Sequence, residues 1–251
     1  MSVRFAAPLA GFLAVVLSAV AMAADVPANI AAAVGDTTRP AAQRGRDASR
    51  RPAEILAFAG VKPGDKVGDF LMGGGYFTRI FSGAVGPTGK VYGFQAAEFV
   101  QFNGDYAKWQ DETVAFSPNI VPVRASLGAL AFPEPLDLIF TAQNYHDFHL
   151  GRATPEQIAA INRQLLDALK PGGVLLVIDH YAIDGTGDTQ SNALHRIDID
   201  LVKRELAAAG FVLEAESDIL RNPADPRTAS VFDPSIQGNT DQFILKFRKP
   251  A

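Results

Sequence analysis

Between residues 66 and 78 the chain reads Lys66-Val67-Gly68-Asp69-Phe70-Leu71-Met72-Gly73-Gly74-Gly75-Tyr76-Phe77-Thr78. A short apolar run carrying one acid gives way to three glycines, and a segment of helical spacing follows, with Phe77, Ile80 and Phe81 on one side. Glycine at a strand-to-helix turn removes the Cβ atoms that would hold a ligand away from the backbone. This order predicts one βα unit of a parallel sheet, with a ligand at the carboxyl end of the strands, near the first turn of the helix. Two common phosphate loops do not fit. The dinucleotide fingerprint needs a third glycine where Thr78 stands and an acid closing the second strand, and no Gly-Lys-Ser/Thr triplet follows for a P-loop.

The rest of the chain repeats the strand and helix alternation. Strands are expected over residues 66–71, 90–94, 120–123, 136–141 and 174–178, the third near an edge because it holds Pro122. Thr154-Pro155-Glu156-Gln157 reads as a capping box before the helical run Ile158, Ile161, Leu165 and Leu169. Lys170-Pro171-Gly172-Gly173 is expected to stop that helix, and Asp198 to cap a later one ending at Gly210. Residues 211–216 and 242–247 look like strands with no helical pattern between them, which predicts an antiparallel pair.

The amino terminus has a different character. Arg4, the apolar run from Phe5 to Val20, and Ala21-Met22-Ala23 have the composition of a secretory signal over residues 1–23, cleaved before Ala24. Residues 24–48, rich in alanine and small polar types, are expected to be a flexible lead-in with one short helix near Ile30, and residues 49–251 to form one domain. No cysteine is present, so disulfides, thiolate metal sites and a cysteine nucleophile are excluded. The formal net charge of −4 gives no reason to expect nucleic acid or an anionic membrane as a partner once the signal is removed.

The spacing Asp69, Gly73, Gly75 resembles motif I of class I S-adenosylmethionine-dependent methyltransferases. So do Leu136-Asp137-Leu138-Ile139-Phe140 and Leu169-Lys170-Pro171-Gly172-Gly173 before an apolar strand. Asn144-Tyr145-His146-Asp147 and His195-Arg196-Ile197-Asp198 are similar to stretches in secreted bacterial predicted methyltransferases. The resemblance runs from about Pro52 to Arg248. It implies an α/β, doubly wound, Rossmann-like fold: a mostly parallel seven-stranded sheet with an antiparallel C-terminal hairpin strand. It also implies S-adenosylmethionine as cofactor, with Asp69 beneath the methionine moiety and Gly73, Gly74 and Gly75 passing along it. Gln95 falls where the family places the acid that holds the ribose hydroxyls, with Glu98 a possible substitute, and Ser126 falls where a side chain contacts the adenine amino group. Both Gln95 and Ser126 lack the usual charge.

Methyl transfer is an in-line displacement at a sulfonium carbon, in which a protein aligns the acceptor and, for a weak nucleophile, removes a proton. His146, after the fourth strand, and His180, closing the fifth, are the candidate bases. His149 is expected at the surface, and His195 in a structural hydrogen bond. His146-x-x-His149 with Asp179 and His180 has ligand chemistry but too little short-range spacing, so no metal is expected. Two functions follow from this reading: methyl transfer to a small molecule in the bacterial envelope, or an exported binding protein that keeps the fold without the transfer.

Overall fold

The computed structural model describes residues 26–151 and 153–251. The expected signal at residues 1–23 lies outside them. Strands β1 (Lys66–Phe70), β2 (Lys90–Ala96), β3 (Ile120–Ala125), β4 (Leu136–Ala142), β5 (Leu169–His180), β6 (Val212–Ser217) and β7 (Gln242–Arg248) form one sheet, in the order β3-β2-β1-β4-β5-β7-β6. The first five strands run parallel. β7 lies antiparallel between β5 and β6. This is the expected mostly parallel seven-stranded sheet, with Pro122 on the edge strand β3.

Among the described residues the helices are α1 (Ala28–Val34), α2 (Ala41–Arg44), α3 (Asp47–Arg50), α4 (Pro52–Ala59), α5 (Tyr76–Val85), α6 (Ala97–Phe102), α7 (Asp105–Val114), α8 (Pro155–Ala168), α9 (Ser191–Leu194) and α10 (Ile199–Ala209). Side-chain alternation along the strands makes two cores. Val67, Val91, Leu138, Phe140, Leu176 and Ile178 face α1, α4 and α5, while Leu136, Ile139, Leu175 and Val177 face α8 and α10. The Thr154 capping box forms with both of its hydrogen bonds, and Gly60 and Gly210 close α4 and α10 with left-handed φ values of 82° and 104°.

Two segments differ from the sequence reading. β5 begins at Leu169, ahead of the expected stop, because Leu169 pairs with Leu136 and the ladder resumes at Val174 opposite Leu138. Residues 28–50 form three short helices packed on the domain, with Ile30 fully buried in the α1/α4/α5 core. Arg39, 1% exposed, clamps Asp47 through two hydrogen bonds of 2.8 and 2.9 Å, and Asp47 accepts the Tyr76 hydroxyl at 2.7 Å. A flexible lead-in has no such ties; the helices are fastened to the first residue of α5.

The loop between β6 and β7, residues 218–241, folds over the carboxyl ends of the neighbouring strands. It is held by an ion pair whose side chains are both fully buried, Arg196–Asp225 at 2.8 Å, and by Asp241, which receives Arg221 at 2.8 Å and Arg227 at 2.9 Å. Among the described residues no helix is long and apolar enough to cross a membrane. Removing one partner of a buried pair leaves a bare charge in the interior, so Arg196→Ala should lose about 3–5 kcal/mol of unfolding free energy in urea. A loss under about 1 kcal/mol would place the loop outside the cooperative fold.

Candidate functional site

The sheet order puts β1 between β2 and β4. The chain leaves β1 toward β2 on one side and later returns to β4 on the other, which opens a crevice at the strand ends. Asp69, next to last in β1 and 3% exposed, accepts the Thr78 hydroxyl from the first turn of α5 at 2.5 Å. Burial pushes the Asp69 carboxyl up to about 6, against the opposing effects of the Thr78 hydrogen bond and the positive charge of Arg50. The turn that follows takes unusual backbone shapes: Leu71 has a left-handed φ of 61° without being glycine.

The three glycines serve two purposes. A Cβ on Gly73 or Gly74 would meet nothing within 4 Å, whereas one on Gly75 would lie 2.1 Å from Thr113 Oγ1. Gly75 is therefore demanded by the packing of α7 and by its own φ of 71°, while Gly73 and Gly74 leave space beside bare backbone. That space is a cavity of about 260 Å³, lined by Asp69, Gly73, Gly74, Arg50, Tyr76 and Asn144 among others. Arg79 donates to the Gly74 and Gly75 carbonyls at 2.9 and 3.2 Å, which holds the turn in place.

Arg50 is the residue that the sequence reading missed. It sits at the end of α3 with its guanidinium 4.6 Å from the Tyr76 ring centre and 5.0 Å from that of Phe77, and it donates to Gln143 Oε1 at 3.4 Å. Burial pushes its pKa down to about 10, with Arg46 adding repulsion. No ion pair to a carboxylate is made by Arg50 among the described residues. A half-buried cation and a buried carboxyl thus line one cavity. Arg39, Asp47 and Tyr76 hold the helix that carries the cation, and no local sequence pattern announces that contact.

Gln95 and Ser126 are not among the residues that line this cavity. Gln95 is fully buried, and neither its Oε1 nor its Nε2 has a hydrogen-bond partner among the described residues. An orphaned buried amide is costly, and a hydroxyl-bearing ligand reaching β2 would satisfy it. Ser126 caps a short 3₁₀ turn and donates to Glu98 at 2.7 Å, so Ser126 and Glu98 act together at the ends of β2 and β3.

Across the crevice, Asn144 ties the glycine turn to β4 by donating to the Leu71 and Ala142 carbonyls at 3.1 and 2.8 Å. His146, in the 3₁₀ turn Tyr145–His149, is buried against Asp179 at the end of β5. Asp179 accepts the His146 backbone N–H at 2.8 Å, its Nδ1 at 2.8 Å and the His180 N–H at 2.7 Å. The carboxylate raises the His146 pKa against the opposing effect of burial. It also leaves Nε2 directed outward, 3.1 Å from His195 Nδ1. His180 differs. Its Nδ1 meets the Thr240 hydroxyl at 2.7 Å, and burial drives its pKa down to about 4, so it is neutral near pH 7. The structure brings Asp179, His146, Asp147 and His195 together and turns His180 toward the 218–241 loop. His149 bonds Glu205 at 3.2 Å, and Tyr145, 1% exposed, packs between Glu205 and Asn162.

No family model matches the chain. A ubiquinone/menaquinone biosynthesis C-methyltransferase of Ectopseudomonas mendocina is 34% identical over 128 residues, 49% of this chain and 45% of that protein. A protein-L-isoaspartate O-methyltransferase of Triticum aestivum is 30% identical over 125 residues, 47% of this chain and 46% of that one. The chain spans about half the length of the curated relatives it matches. Among solved structures, an S-adenosylmethionine-dependent methyltransferase of Aquifex aeolicus superposes with a TM-score of 0.55 at 20% identity, over 78% of this chain and 88% of that one. The chain has the class I S-adenosylmethionine-dependent methyltransferase fold. The two curated relatives differ in the kind of atom they methylate, carbon in one and oxygen in the other, so likeness alone does not choose an acceptor.

The raised pKa of Asp69 has a consequence for stability. A carboxyl whose folded pKa lies above its unfolded value of 3.8 opposes folding once ionised: the penalty is absent below about pH 4, grows toward pH 6 and is complete above it. Asp69→Asn should therefore stabilise the protein at pH 7.5 by up to about 3 kcal/mol, with the gain vanishing near pH 4. Urea unfolding at the two pH values measures this, and a gain of equal size at both would refute the assignment.

Proposed function

We propose that the protein transfers a methyl group from S-adenosylmethionine to a small molecule. The observation that carries this reading is the pairing of Asp69 and Arg50 in one cavity beside the side-chain-free Gly73 and Gly74. An amino-acid end group carries one positive and one negative charge. The carboxyl of Asp69 suits the ammonium, and the guanidinium of Arg50 suits the carboxylate. When bound, the cofactor supplies an electrophilic methyl carbon; this chain's residues hold it, exclude water and receive the acceptor.

On the acceptor side the residue assigned is His146. Asp179 fixes its Nδ1–H, so Nε2 presents a lone pair that can take a proton. His180 is not assigned that role, because Thr240 holds its Nδ1 and burial, which lowers its pKa to about 4, leaves it a weak base. We also propose that this chemistry takes place in the bacterial envelope, on the strength of the Arg4 and Phe5-to-Ala23 composition. Amino-terminal sequencing of the protein from an envelope fraction should begin at Ala24; recovery of a chain starting at Met1 would contradict export.

Calorimetry on the purified protein tests the cofactor reading. S-adenosylmethionine should bind in the micromolar range. Gly74→Val, whose Cβ would meet no neighbour, should abolish binding by occupying the cavity, and Arg50→Ala should weaken it roughly 10–100-fold. Heat signals absent at millimolar cofactor in the parent protein would rule the reading out.

A further inference from the structure

Beside the cofactor crevice three electron-pair donors from two separate segments converge. His146 Nε2 lies 3.1 Å from His195 Nδ1 and 3.3 Å from Asp147 Oδ1, and His195 Nδ1 lies 3.9 Å from that same oxygen. Donors bound to one tetrahedral ion at about 2.0–2.1 Å stand roughly 3.3 Å apart. The triangle already has nearly those dimensions. We propose that His146, Asp147 and His195 form a three-ligand site for a divalent first-row transition-metal ion of the zinc type.

Three features support a built site rather than a chance meeting. Asp179, fully buried, accepts from His146 Nδ1 at 2.8 Å, which is the carboxylate–histidine arrangement that orients a metal-binding imidazole and leaves Nε2 as the ligand atom. His195 takes a left-handed φ of 54°, a shape uncommon outside glycine, and that backbone turn ends α9 and carries its ring to His146. The Phe232 ring stands edge-on to His195 with centres 4.8 Å apart, which limits the swing of the imidazole. Two imidazoles and a carboxylate with no sulfur match zinc and its neighbours better than magnesium or calcium.

The set differs from the His146, His149, Asp179 and His180 grouping weighed in the sequence, from which no metal is expected. His149 turns away to Glu205 and to Asp188, at 3.2 and 3.5 Å, and the second histidine comes from a residue 49 positions along the chain. The side chains of His195 and Asp147 remain 27% and 18% exposed, so one coordination position is open to water or to an oxygen of an acceptor. The cation site stands without the methyl-transfer reading; only the acceptor oxygen as its fourth ligand rests on it. An ion at Nε2 would occupy the lone pair assigned above as base, and the proton-accepting role would pass to hydroxide on the ion.

Untagged, chelator-treated full chain titrated with Co²⁺ and then Zn²⁺ tests the site. One equivalent should bind, with visible d–d absorption for Co²⁺ that Zn²⁺ displaces. His195→Ala and Asp147→Ala, both at partly exposed residues, should each lower affinity by at least about tenfold, and His149→Gln should leave it unchanged. Circular dichroism melts confirm that each variant is folded. Binding that is absent in the parent chain, or that is untouched by His195→Ala and Asp147→Ala, overturns the proposal, and it does so without bearing on whether S-adenosylmethionine binds.

Discussion

The placement of β1 between β2 and β4 is the constraint on which the rest of the molecule depends. Because the chain departs from β1 to one side and comes back to the other, no crossover helix covers the strand ends at that point. Everything of chemical interest gathers there. β1 delivers Asp69 and the glycine turn, β4 delivers Asn144 and His146, and β5 delivers Asp179. The buried carboxylate of Asp179 joins the last two by accepting from the His146 backbone, the His146 ring and the His180 backbone, so the geometry of one strand end sets that of its neighbour.

Two buried carboxylates flank the crevice with opposite electrostatics. Asp69 is raised by burial that its partners do not offset, while Asp179 is lowered by His146 and His180 although it is equally buried. Asp179 is a satisfied anion that positions a neighbour. Asp69 is an under-satisfied one, which supports its proposed role in holding a cationic group. That difference separates the positioning residue from the binding residue without appeal to likeness, and it agrees with the lining of the cavity, which includes Asp69 and excludes Asp179.

Much of the fold was legible in the residues because its signals are local. The glycine turn, the capping box at Thr154, Pro122 on an edge and the apolar runs of β4 and β5 each depend on neighbours a few positions away. The long-range ties were hidden. Arg50 lies just past the lead-in read at residues 24–48, at a position with no motif, and only the Arg39–Asp47–Tyr76 chain of contacts, spanning 37 positions from Arg39 to Tyr76, brings it to the glycine turn. Gly75 looked like part of a ligand cradle but is required by Thr113 on α7. His195 looked structural, and its strained backbone, which carries it to His146, has no signature in sequence. Gln95 and Ser126 were placed by resemblance on strand ends that do reach the crevice region, yet one is sealed beneath it and the other is engaged with Glu98.

The central claim is that an amino-acid end group lies between Asp69 and Arg50, with the reacting carbon turned toward the Asn144–His146 side. A crystal structure of the protein soaked with S-adenosylmethionine addresses it most directly. The account predicts density along Gly73 and Gly74 and a carboxylate on the Arg50 guanidinium. Density located elsewhere, or a crevice in which Arg50 keeps its contact with Gln143 beside a saturating ligand, would contradict it.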